Sequence, residues 1–110
     1  MIKLSKGEHR KGEIVLNILL NTKGVDLPMA STILRFRNPR VFQIIDRHAY
    51  RAVYGKNYPI YIGSPNDRKI EKYFDYIDEL ITLCEQRELD FQSIDRLLYI
   101  FDKKKNGKLI

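Results

Sequence analysis

The stretch with the most chemical content runs from Lys23 to Arg51, KGVDLPMASTILRFRNPRVFQIIDRHAYR. Within it, Lys23-Gly24-Val25-Asp26 reads as a short turn between two apolar-periodic segments. Such a turn can present the unpartnered N–H groups of the following helix start to an anion, where the helix dipole also favours negative charge. A backbone phosphate held this way fixes position on DNA without reading sequence. Lys23 beside the turn, with Arg35 and Arg37 further along, adds charge attraction. Later in the stretch Asp46 opens another helical segment, followed by Arg47, His48 and Arg51. As a helix N-cap, an aspartate there contributes about 1 kcal/mol with no further role.

The elements that must hold these residues are helical by pattern. Over 13–21, Ile14, Val15, Ile18 and Leu19 predict one buried helix face, widened by Leu16 and Leu20. Gly24 suits the left-handed conformation of a helix stop. Asp26 is a predicted cap for the next helix, Pro28 fits its first turn, and Ala30, Ile33 and Leu34 form its inner face. Asn38-Pro39 ends it, because a residue before proline leaves the helical region. Residues 41–45 are a five-residue apolar link. Asp46 caps a third helix with Ala49, Tyr50, Ala52 and Val53 inward, ending at Gly55. The connection KNYPIYIG is predicted to lay Tyr58, Ile60 and Ile62 on the helices. Ser64-Pro65 opens the longest helix, whose stripe is Ile70, Tyr73, Phe74, Ile77, Leu80, Ile81 and Cys84. Asp90 caps a last helix with Ile94, Leu97, Leu98 and Phe101 inward. The expected architecture is all-α: a compact bundle of about five helices over 13–103, with a flexible lead-in at 1–12 and a basic tail at 104–110.

The chain has 110 residues, 44% hydrophobic and 31% charged, which fits a single globular domain and is too apolar for general disorder. No apolar run reaches the length needed to cross a bilayer, and the first residues lack the apolar stretch of a secretory signal. A lone cysteine, Cys84, excludes an intrachain disulfide, suits a cytoplasmic setting, and reads as a buried apolar filler. The formal charge of +6 is uneven. Residues 1–56 hold 11 Lys and Arg against 4 Asp and Glu, whereas residues 57–110 hold 9 against 10. A basic half is an electrostatic footprint for polyanions. His9 and His48 are the only histidines and have no metal-ligand spacing, and no phosphate-loop, nucleophile-elbow or dinucleotide motif occurs. Tyr50, Tyr54, Tyr58 and Tyr61 form a loose aromatic cluster that reads as packing more readily than as a base-stacking platform.

Taken together, a helix, Lys23-Gly24-Val25-Asp26, Met29-Ala30 with an aliphatic run, then Ile45-Asp46-Arg47-His48 and Arg51, resembles the helix-hairpin-helix DNA glycosylase superfamily (endonuclease-III-like). The likeness covers about residues 14–54. The segment Ser93 to Tyr99 with Lys103 is similar to the closing helix of some glycosylase-like proteins. The resemblance implies that Gly24 takes the place of the first hairpin glycine. It puts Asp46 in the place of the catalytic aspartate, which stabilises the cationic sugar that develops as a base leaves. It implies DNA contacts at Lys23, Gly24, Val25, Met29, Ala30, Arg35, Arg37, Arg47 and Arg51.

Departures from the family pattern narrow these expectations. Pro28 stands where bifunctional members carry the lysine nucleophile, so no lyase step can run through that position. Asp26 replaces the second hairpin glycine and would repel an approaching phosphate. Without four clustered cysteines there is no iron–sulfur loop, and neither cofactor nor metal is expected. Few residues precede the first helix, so a base-flipping pocket would need a second copy or another polypeptide to complete its wall. The leading expectation is a divergent, glycosylase-like protein that binds duplex DNA without a complete catalytic pocket. The alternatives are a monofunctional glycosylase using Asp46 in an oligomer or with a partner, and a protein-interaction domain.

Overall fold

The computed structural model describes residues 4–59 and 63–106. Five α-helices carry the fold: α1 (Glu13–Leu20), α2 (Leu27–Arg37), α3 (Arg47–Tyr54), α4 (Asn66–Arg87) and α5 (Ile94–Asn106). Single 3-10 turns at His9–Gly12 and Phe91–Ser93 lead into α1 and α5. There is no strand among the described residues, so the all-α expectation holds. No described helix is long and apolar enough to cross a membrane.

The long helix α4 is the spine. Ile70, Tyr73, Phe74, Ile77, Leu80 and Cys84 are all buried, in the phase their spacing predicts, and Tyr76 joins them. Against it lies the 41–45 link, where Val41, Phe42, Gln43 and Ile45 are buried. An irregular segment inside a core must find partners for its peptide groups. Side chains supply several. The Tyr73 and Tyr76 hydroxyls donate to the carbonyls of Gln43 (2.7 Å) and Ile44 (3.2 Å), and the Ser31 hydroxyl accepts from the Ile45 N–H (3.1 Å). Cys84 is a free buried thiol whose pKa is pushed up chiefly by burial, consistent with a filler.

Helix starts follow the caps read from the sequence. Asp26 accepts from the Leu27 N–H at 2.7 Å, and Asp46 from the Ala49 N–H at 2.8 Å. Asp90 caps the 3-10 turn ahead of α5 rather than α5 itself. Gly55 closes α3 in the left-handed conformation.

Three expectations need correction. In α1 the buried residues are Leu16 and Leu20, whereas Ile14 (73% exposed), Val15 and Ile18 (62%) face outward. The segment EIVLNILL is apolar almost all round, so its pattern sets no phase, and its neighbours α2 and α4 choose one. In α5 the buried stripe is Ile94, Leu98 and Asp102, leaving Leu97 and Phe101 exposed. The helix also runs on through Asn106, into the expected tail; residues 107–110 lie outside the described part. Finally, the described part of the lead-in, 4–12, is built into the fold. His9 is buried on Phe74, and Gly12 packs so closely on Phe42 that a Cβ would sit 2.8 Å from its ring. Tyr58 packs edge-on against Tyr50, which also stacks near Tyr54, so this tyrosine cluster is packing; Ile60, Tyr61 and Ile62 lie outside the described residues.

Candidate nucleic-acid interface and the Asp46 helix start

The α1–α2 corner is a tight, outward turn. The Val25 N–H donates to the Thr22 carbonyl at 3.1 Å, and the Thr22 hydroxyl donates to the Ile18 carbonyl at 3.0 Å. Gly24 has φ +83°, a region that costs an L side chain strain, although a Cβ there would meet no atom within 4 Å. Lys23 and Gly24 are exposed. Among the described residues no acceptor takes the N–H of Gly24 or of Asp26. The first turn of α2 is less available: the Leu27 N–H goes to the Asp26 carboxylate, and Pro28 has no N–H.

Asp26 is not a bare charge. The buried Lys69 ammonium donates to it at 2.8 Å. Burial acts to raise the Asp26 pKa, but the hydrogen bonds from Lys69 and from the Leu27 N–H, with the Lys69 charge, outweigh it and hold the carboxyl below its ordinary value. The result is an ion pair that bridges α2 to α4 and offsets the negative charge at the corner.

Asp46 sits at the equivalent point of α3, half-buried, with its carboxylate on the Ala49 N–H and its carbonyl accepting from the Tyr50 N–H at 2.9 Å. Asp26 and Asp46 share a neighbourhood, because both carboxylates act on the Tyr58 phenol. That hydroxyl is buried with no hydrogen-bond partner among the described residues. Burial first, and the two carboxylates after it, push its pKa upward, while the exposed Arg47 opposes them. The starts of α2 and α3 are thus gathered around one buried phenol.

The remaining expected contact residues separate into groups. Ala30 is sealed in the core, which closes its side chain to any ligand, and Val25 is half-buried. Met29 is exposed on the first turn of α2. Arg37 is exposed at the far end of that helix, roughly 15 Å from the corner. Arg35 and Arg51 turn inward. Arg35 reaches across to α5, donating to the Gln92 carbonyl at 2.8 Å and pairing with Asp95 at 3.1 Å. Arg51 forks onto Asp102 at 2.7 and 2.9 Å, which raises the guanidinium pKa chiefly through the hydrogen bond.

Asp102 is the residue that sequence reasoning missed. It is 0% exposed and also accepts from His48 Nδ1 at 2.8 Å, so one carboxylate joins two α3 side chains to α5. The signal was present: Asp102 lies four residues after Leu98 and eight after Ile94, in helical register with the buried stripe. Tyr99 packs edge-on over the His48 ring at 4.6 Å and completes the contact.

Among the described residues no group of three or more His, Cys, Asp or Glu is placed to hold a metal ion. Two concavities, of about 600 Å³ between α1 and α4 and about 740 Å³ along α5, are not lined by Asp46. Comparison with protein-family models, with curated proteins and with solved structures gave no match to this chain.

Proposed function

We infer that this chain is a helix-hairpin-helix-like domain that binds the backbone of duplex DNA through the α1–α2 corner. One observation carries the reading: at the exposed Gly24 corner the Gly24 and Asp26 N–H groups have no acceptor among the described residues, and Lys23 is exposed beside them. Backbone amides without an acceptor next to a lysine form the electrostatic complement of a phosphate oxygen. The sequence-level objection to this reading, the negative charge of Asp26, is weakened by its pairing with Lys69. Arg47 at the start of α3, near the same buried Tyr58, adds a second exposed cation. Contacts of this kind are sequence-independent and serve positioning.

Fluorescence anisotropy on a labelled duplex tests the reading. Affinity should fall steeply with salt, and Lys23→Ala and Arg47→Ala should each weaken binding and reduce the log–log salt slope by about 1. Arg51→Ala is not a contact variant, since that side chain is engaged with Asp102. No binding at low salt, or affinity indifferent to both substitutions, overturns the reading. Asp46 is the N-cap of α3. The glycosylase alternative is separated by base release from lesion-bearing duplexes, which must occur in the native chain and vanish in Asp46→Asn for catalysis to stand.

A further inference from the structure

Ordered helices usually bury their apolar residues, yet α1 and α5 each present several apolar side chains to solvent. On α1, Ile14 and Ile18 stand one turn apart and border the concavity shared with α4. The charged rim of that surface is acidic: Glu13, Asp67, Glu71 and Asp75. Arg10, the one cation lining it among the described residues, is forked onto Asp78 at 2.9 and 2.6 Å and reaches Asp75 at 3.5 Å. On α5, Leu97, Ile100 and Phe101 are about half exposed and continue onto Leu89, forming an apolar groove whose charged rim residues are Arg87 and Lys104. Lys105 lies over the Phe101 ring at 5.5 Å and adds to the basic character of this end of α5.

The two surfaces share no residue, each is apolar at its centre, and their rims carry opposite charge. Exposed apolar patches rimmed by charge are the usual anatomy of protein contacts, and complementary rims select partner and orientation. We propose that the occupant of each surface is a second copy of this chain, with the acidic-rimmed α1 face of one protomer packed on the basic-rimmed α5 groove of the next. Like copies of either surface would set equal charges against each other, which disfavours α1-on-α1 and α5-on-α5 pairing. The contact is therefore head-to-tail, and such an interface continues from copy to copy until it closes into a ring or grows as a chain. Ile14 and Ile18 would pack against the stripe formed by Leu97, Ile100 and Phe101, the spacing by which two helix surfaces interlock. Neither surface includes Lys23, Gly24 or Arg47, so this inference stands or falls independently of DNA binding.

Sedimentation velocity over a wide concentration range, at low and high salt, tests it with two charge-reversing variants. Ile18→Lys opposes the basic groove, and Ile100→Glu opposes the acidic face; both positions are exposed, and circular dichroism checks that each variant keeps the helical fold. The native chain should show mass rising with concentration, with association weakened about tenfold by high salt. Each variant alone should be monomeric. An equimolar mixture should associate where neither variant does alone, because one variant keeps its groove and the other its α1 face. A native chain that stays monomeric throughout overturns the proposal. So does a dimer that stops at two copies and responds to only one variant, or a mixture of the two variants that fails to associate.

Discussion

Asp46 shows how one side chain can satisfy two descriptions at the level of bonds. Its carboxylate accepts the Ala49 N–H at 2.8 Å, one of the donors that a helix start leaves without a partner. Asp46→Ala should therefore lower stability by about 1 kcal/mol, read as a reduced urea midpoint, while Asp46→Asn should preserve most of it, since asparagine caps nearly as well. This pair makes Asp46→Asn a clean catalytic variant, because the fold survives while the charge is removed. Asp26, by contrast, is tied to Lys69 as well as to Leu27, and its substitution would leave a buried ammonium without that partner. The two caps are alike in sequence and unlike in consequence.

At the scale of the element, α2 and α3 were readable from their punctuation and α4 from its stripe. Asp26 and Asp46 mark the starts, Asn38-Pro39 and Gly55 the stops, and the α4 stripe from Ile70 to Cys84 alternates with charge. The phases of α1 and α5 were not readable, for different reasons. In α1 there are too few polar residues to say which side is wet. In α5 the decision rests with Asp102, whose partners His48 and Arg51 lie more than fifty positions earlier. Apolar periodicity does not register a buried carboxylate, so it places Leu97 and Phe101 inward, whereas in the fold both point outward. The site was legible in part for the same reason. Lys23, Gly24 and Asp46 follow local rules, whereas the inward pairing of Arg35 and Arg51 depends on tertiary partners. If Asp102 sets the α3–α5 contact, Asp102→Ala should cost about 2–3 kcal/mol. Hydrogen exchange should then accelerate in α3 and α5 well before it does in the middle of α4.

The whole molecule is a flattened body, 35 × 31 × 19 Å, and its short axis admits about two layers of helix. In such a slab every helix has an outer side, which is why α1, apolar almost all round, leaves Ile14 and Ile18 in water. The N-terminal turn is fastened to this slab through α4. His9 is buried on Phe74 with its Nε2 2.8 Å from Asp78, and Arg10 forks onto the same carboxylate. This staple sets how the molecule responds to acid. Burial is the largest influence on His9 and lowers its pKa from 6.5, against the opposing pull of Asp78. The unfolded chain therefore takes up the imidazole proton at a higher pH than the folded one. The stability associated with neutral His9 is complete above 6.5 and is lost as pH falls through the depressed folded value. Asp78 is held below its ordinary 3.8, first by the hydrogen bond from Arg10, so its contribution persists until pH falls through a lower window. Asp26, lowered as well, loses its contribution in that same lower range. Thermal unfolding followed across pH should accordingly show two separate declines. His9→Gln should remove the upper one and leave the lower in place, while a profile unchanged by that substitution would show that another group governs the upper decline.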